Sequence, residues 1–328
     1  MLPFISKKPI KSGDTGLSET SDQPSENLYS QLNELVGFRF HVKQKKLAQQ
    51  NSLMSSSSGS HHTQRKGRGM TFSEVRQYQA GDDIRHIDWR VTARTQKAHT
   101  KVFIEEHERP TIVVTEQSPN LFFGSQVRLK INQALNLSAI LAWTALNQNE
   151  RVGALTFNQN HQAWIAPKRS QQTLLQSLQK SIQLQTEISQ PEQNNPLRWQ
   201  NTLKQLSQVT KPGSQLFLIG DMLQLNETSF GYLQKLRRHN DIVALHVFDP
   251  LEKNLPELGW LSLTKNVYSE HILKLDSARD KTRDSYAQLY QNQWQMAAEQ
   301  FMKMKIPLIE VACNEDPLAS LMHHKVII

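Results

Sequence analysis

The run Thr111-Ile112-Val113-Val114-Thr115-Glu116 constrains the fold most. Three consecutive β-branched residues make both faces of an extended backbone apolar, and such a strand is stable only inside a sheet covered on both sides. Downstream the pattern alternates. A helical spacing through Leu129, Leu137, Ile140, Leu141 and Leu146 is followed by the strands RVGALTFN and QAWIAP, then by a helix through Leu174, Leu178 and Ile182. A helix through Leu203 and Leu206, the strand LFLIGD, a helix from Tyr232 to His239 and the strand IVALHVFD continue the series. Strands separated by helices need crossover connections, which predicts an α/β fold with a doubly wound, mostly parallel sheet. An irregular β region is expected around Trp260 to Leu275, then a long helix, then the strand IPLIEVAC ending at Cys313. In the long helix Tyr286, Leu289, Tyr290, Trp294, Ala297 and Phe301 recur at the spacing of a core stripe, so packing is expected there and not a ligand box.

Upstream the chain divides by composition. Residues 1–24 have no apolar periodicity and read as a disordered tail. Residues 25–64 read as a helix through Leu28, Leu32, Leu35 and Val36 followed by a Ser-rich loop. In that loop His61 and His62 lack Cys or acid partners at ligand spacing, so a solvated loop is expected. Residues 65–110 form a charged segment, and 111–328 the α/β domain. No run reaches the ~18 apolar residues of a spanning helix, and the first residues lack a continuous apolar leader, so a cytoplasmic location is expected. The single cysteine, Cys313, has no obvious base beside it and reads as a buried structural thiol.

The charged segment is RKGRGMTFSEVRQYQAGDDIRHIDWRVTARTQK, from Arg65 to Lys97. Between Arg39 and Lys101 thirteen Lys and Arg face four Asp and Glu, so this region carries the basic excess of a chain whose net charge is +8. Arg85 lies close to Asp82 and Asp83, and Arg90 lies two positions from Asp88. On a strand, residues two apart share a face, so IRHIDWRV reads as a strand whose acids and bases pair with each other into a clamp. Two other readings compete. Asp82, Asp83 and Asp88 could form a carboxylate cluster for metal-dependent hydrolysis. Alternatively, Arg65, Lys66 and Arg68 could follow a phosphate backbone while Phe72, Tyr78 or Trp89 stack on bases. The sequence holds no Ser-His-Asp, Cys-His, phosphate-loop, zinc or helix-turn-helix pattern, so a protein partner is expected before either.

In open α/β sheets, function sits at the carboxyl ends of the strands. There, Glu116, Ser118 and Asn120 follow one expected strand and Asp221 another. If the strands are neighbours these groups converge on an oxygen-lined point suited to Mg²⁺ or Mn²⁺.

Gly67, Gly69, Tyr78, Gly81, Asp82, Asp83, Arg85, Ile87, Asp88, Trp89, Ala93 and Arg94 stand at fixed spacing. This run resembles the signature of the domain of unknown function 58 family. The resemblance implies a von Willebrand factor A-like domain directly after the signature, and a partnership with a MoxR-type AAA+ ATPase in which such proteins look like non-enzymatic adaptors or co-chaperones. It also implies a metal motif to compare. Glu116 stands where such domains carry Asp, Ser118 fits, Asn120 replaces a Ser, Asp221 fits, and Asn194-Asn195-Pro196 occupies the place of a Thr. The extra methylene of Glu116 displaces its oxygens, and Mg²⁺ tolerates little departure from octahedral geometry. An eroded, hydrogen-bonded loop without a cofactor is therefore expected.

Overall fold

The computed structural model describes residues 4–6, 28–48, 70–105, 109–189, 197–264 and 272–328. The chain forms two compact units, one of Met1–Ser58 with Arg109–Ile328 and one of Gly59–Glu108. The larger unit begins with β1 (Phe4–Ser6) and α1 (Leu32–His41). The smaller unit follows with β2 (Met70–Gln77), α2 (Trp89–Thr95) and β3 (His99–Glu105). The chain then returns to the larger unit through β4 (Thr111–Glu116), α3 (Lys130–Asn147), β5 (Val152–Phe157), β6 (Gln162–Lys168) and α4 (Gln171–Thr186). It continues through α5 (Arg198–Val209), β7 (Gln215–Gly220), α6 (Glu227–Arg237), β8 (Asp241–Phe248) and α7 (Pro250–Lys253). Last come β9 (Trp260–Thr264), β10 (Ile272–Asp276), α8 (Asp280–Lys303), β11 (Leu308–Ala312) and α9 (Pro317–His323).

The central sheet runs β11-β8-β7-β4-β5-β6 and is parallel throughout except for β6, which lies antiparallel to β5 at one edge. Strand β4, with its β-branched centre Ile112-Val113-Val114, sits inside the sheet and is buried at every position. Its side chains alternate between two apolar layers, as a period of two requires. Val113 packs in one layer with Leu35 of α1, Ile131 and Leu135 of α3, and Leu174 of α4. Ile112 and Val114 pack in the other with Trp199 and Leu203 of α5, Leu233 of α6 and Phe301 of α8. This is a mixed α/β domain with helices on both faces of the sheet.

Helix α1 is held by packing, as most short helices are. Leu35 is fully buried, and its carbonyl accepts from Trp143 Nε1 at 3.0 Å. The expected helix before residue 64 therefore belongs to the larger unit. In the N-terminal stretch read as disordered, Phe4–Ser6 is extended and pairs antiparallel with β9. Strand pairing needs only main-chain groups, so the absence of apolar periodicity did not forbid it. The rest of residues 1–24, and the loop with His61 and His62, lie outside the described residues. In α8, Tyr286, Tyr290, Ala297 and Phe301 are buried, whereas Leu289 points to solvent. Helix α9 was not anticipated; Pro317 opens it, and Asp316 caps it by accepting from Ala319 N–H at 2.7 Å. Among the described residues no helix is long and apolar enough to cross a membrane.

Candidate functional site

Strands β4 and β7 are neighbours, so their carboxyl ends bring Glu116 and Asp221 together. Glu116 is completely buried, and both its oxygens are engaged. Oε1 accepts from Arg198 Nε at 2.8 Å and from Ser118 Oγ at 2.6 Å. Oε2 accepts from Trp199 Nε1 and from the Asp221 N–H, each at 2.9 Å. Arg198 and Trp199 are the first two residues of α5, and both are buried. A carboxylate can be held so deep only because a guanidinium and three further donors replace its water. The fit also needs Gly220, since a Cβ there would lie 2.5 Å from Glu116 Oε2.

Of the four residues expected around an ion, Glu116, Ser118 and Asp221 do converge. Asn120 lies on the short turn Pro119–Leu121, and its buried Nδ2 has no hydrogen-bond partner among the described residues. Asn194, Asn195 and Pro196 lie outside the described residues. This donor set does not fit a hard divalent ion, because an ion on Glu116 would have to displace the Arg198 guanidinium. Among the described residues no group of three or more His, Cys, Asp or Glu side chains is placed to hold a metal.

Around Asp221 the charges close on one another. Asp221 Oδ1 accepts from Leu223 N–H at 3.1 Å and lies 3.5 Å from His246 Nδ1. Burial alone would raise the Asp221 carboxyl, but His246, Lys130, Arg198 and the Leu223 N–H outweigh it and hold it below its ordinary range. Burial pushes the His246 imidazole down, despite the neighbouring carboxylates. Nδ1 accepts from Met222 N–H at 3.2 Å, and Nε2 faces Tyr290 Oη at 3.3 Å. Tyr290 in turn donates to Glu310 at 3.1 Å. The Lys130 ammonium, also buried, lies 2.6 Å from Glu252; desolvation opposes its charge, but Glu252, Asp221 and Glu116 more than compensate and raise it. Asp249 accepts from Ser125 N–H, Ser125 Oγ, Leu251 N–H and the Cys313 thiol, the last at 3.1 Å. Burial, reinforced by Asp249, pushes that thiol far up, so it stays protonated.

The smaller unit is built differently from expectation. Strands β2 and β3 pair antiparallel with a bulge between Phe72 and Glu74. Between them, IRHIDWRV is not a strand. A short turn, Ile84–His86, leads through Ile87, which bridges to Thr100, into α2. Two aspartates impose this shape. Asp83 Oδ1 accepts from Arg85 N–H at 3.0 Å, and Asp88 Oδ1 accepts from the N–H groups of Arg90 and Val91, both at 3.1 Å. Both are N-caps, which an aspartate supplies well.

The expected acid–base pairs are accordingly replaced. Asp82 binds Arg76 of β2 at 2.6 Å and accepts from Gln79 N–H at 2.9 Å, not from Arg85. Asp88 Oδ2 faces Lys101 of β3 at 3.6 Å, not the Arg90 side chain. The Arg76 bond holds Asp82 below the usual carboxylate range, and the Val91 N–H, aided by Lys101, does the same for Asp88. Gly81 turns with φ of 108°, a conformation that side chains rarely adopt. Tyr78 is half-buried, and its N–H donates to Ala98 O at 2.8 Å.

Among the described residues of this unit, two large apolar side chains are exposed: Trp89, the first residue of α2, at 71%, and Ile84 at 66%. Arg85, Arg90 and Arg94 are exposed beside them and form no ion pair among the described residues. Gly67, Gly69, Arg65, Lys66 and Arg68 lie outside the described residues.

The family model for a protein of unknown function, DUF58, matches residues 74–296. An uncharacterized protein of Mycobacterium tuberculosis and one of Mycobacterium bovis are each 25% identical over 261 residues, 78% of this chain and 78% of theirs. Among solved structures, the conserved hypothetical protein BatB from Bacteroides thetaiotaomicron aligns with a TM-score of 0.41 and 11% identity, covering 66% of this chain and 96% of that one.

Proposed function

We propose that this chain, which belongs to the DUF58 family of proteins of unknown function, is a non-enzymatic protein-interaction module. The observation that carries the proposal is the display of Trp89 and Ile84. Asp82, Asp83 and Asp88 are used on the segment's own backbone and strands, yet Trp89 is left 71% exposed. Solvent gives an indole no stabilisation there, whereas a partner's pocket would; Trp is among the residues that most often dominate protein interfaces. The carboxyl edge of the sheet supports the same view from the other side. Among the described residues its acids Glu116, Glu252 and Glu310 face Arg198, Lys130 and Lys253, and Glu116 also accepts from the Asp221 N–H, which favours a structural use of these groups.

In this proposal the larger unit is a von Willebrand factor A-like domain whose ion site has been replaced by the Glu116–Arg198 pair. No cofactor is required, and the chain works in the cytoplasm as an adaptor or co-chaperone. The partner is a MoxR-type AAA+ ATPase, the association that the signature resemblance implies. The test is capture of a purified MoxR-type ATPase on the immobilised full chain, with and without nucleotide. Retention by the wild type, lost in Trp89→Ala and Ile84→Ser variants of unchanged melting temperature, is expected. Absence of retention in every nucleotide state would overturn the assignment.

A further inference from the structure

We infer that the surface displaying Trp89 and Ile84 docks an acidic protein segment carrying an apolar anchor; this rests on the interaction reading and deepens it by fixing the chemistry of the partner. The inference begins with how three aspartates of the unit are used. Asp82 is taken by Arg76, Asp83 caps the Ile84–His86 turn, and Asp88 caps α2 while facing Lys101. These contacts leave Arg85, Arg90 and Arg94 as exposed cations with no acid of their own among the described residues. Arg90 and Arg94 are four residues apart on α2, so they stand on one helical face ~6 Å from each other. Ile84 and Trp89 are five positions apart, a span of at most ~18 Å even for extended chain. Apolar anchors and unpaired guanidinium groups therefore occupy one short connection.

The matching occupant presents carboxylates around an aliphatic or aromatic side chain. Guanidinium groups bind carboxylates through paired, directional hydrogen bonds, and an anchor in a desolvated centre with charges at the rim is how interfaces are commonly arranged. A nucleic acid fits less well. It would need a continuous cationic track, whereas the exposed Asp83 and the carboxylates of Asp82 and Asp88 interrupt this one. Ile84 offers nothing to a phosphate backbone and little to a base.

The experiment measures binding of labelled probes to the full chain. They are a Glu-rich peptide with Leu anchors, the same peptide with Ser replacing Leu, a Lys-rich peptide with the Leu anchors, and oligo-dT. The first probe should bind best, and its affinity should fall as salt rises. The double variant Arg90→Glu/Arg94→Glu should weaken it by about tenfold or more, and Trp89→Ala by a similar factor. Folding of each variant is checked by its melting temperature, and Arg90→Lys/Arg94→Lys, which keeps the charge, should retain part of the affinity.

Tighter binding of oligo-dT, equal binding of the two acidic peptides, or indifference to the charge reversals would overturn the inference. So would a Trp89-dependent dimer in sedimentation, which would make the occupant a second copy of the chain. The two proposals fail separately. If no ATPase is captured, the ATPase assignment falls while the peptide result stands. If capture occurs but survives charge reversal, only the acidic docking surface falls.

Discussion

Replacing Glu116 by Gln tests the buried pair at the carboxyl edge of the sheet. The Glu116 and Arg198 side chains are 0% and 3% exposed. Gln keeps the volume and can still accept a hydrogen bond, but it removes the carboxylate charge that the Arg198 guanidinium faces at 2.8 Å in the interior. Removing one partner of such a pair costs about 3–5 kcal/mol. At roughly 2–4 °C per kcal/mol for a domain of this size, the melting temperature should fall by roughly 6–20 °C. Arg198→Met strands the carboxylate instead and should cost a similar amount. The double variant Glu116→Gln/Arg198→Met removes both charges, so its loss should be smaller than the sum of the two by about 0.5–3 kcal/mol. Urea unfolding followed by circular dichroism reads all three from shifts in midpoint at constant slope. Strict additivity, or single losses below about 1 kcal/mol, would refute the claim that these charges depend on each other.

Further outcomes can be checked on the same material. Gly220→Ala places a Cβ 2.5 Å from Glu116 Oε2 and 2.6 Å from its Cβ, so it should destabilise by about 1–3 kcal/mol in the same assay. Burial lowers the His246 pKa from 6.5, so below that pH the unfolded chain binds a proton that the folded one excludes; stability should rise with pH through that window and be lost as pH falls, and His246→Gln should flatten the slope of melting temperature against pH. Asp88→Asn keeps an oxygen that can cap α2 and should leave the melting temperature nearly unchanged, whereas Asp88→Ala should lower it. With Arg198 occupying Glu116, Mg²⁺ or Mn²⁺ should produce no rise in melting temperature, and a concentration-dependent rise would show that an ion binds the folded state.

The sheet was legible because β4 advertises its own burial. Consecutive β-branched residues can satisfy both faces only inside a covered sheet, and the helices around it repeat at helical spacing. The carboxyl-edge site was legible in part. Sheet order brings Glu116 and Asp221 together, meeting the condition on which the expected convergence rests, but their partner Arg198 lies 82 positions from Glu116, and nothing local in sequence marks it. Lys130 with Glu252 is likewise a long-range pair. In the signature segment, Ile87, Trp89 and Val91 alternate with polar residues and imitate a strand. The competing signal was present: Asp83 and Asp88 each precede a short stretch whose main-chain N–H groups need acceptors. Capping by these two aspartates outweighs the period of two.

The smaller unit interrupts the larger one, leaving it after Ser58 and rejoining it at Arg109. It is an insertion anchored by two covalent connections, not an appendage hung from one. The entropy of closing such a loop grows only slowly with its length, by ~0.6 kcal/mol per doubling. The host sheet can therefore tolerate inserts of quite different size and surface. Relatives could exchange this insert while keeping the α/β scaffold, and under the proposed docking role a graft of residues 59–108 between two members should carry partner choice with it.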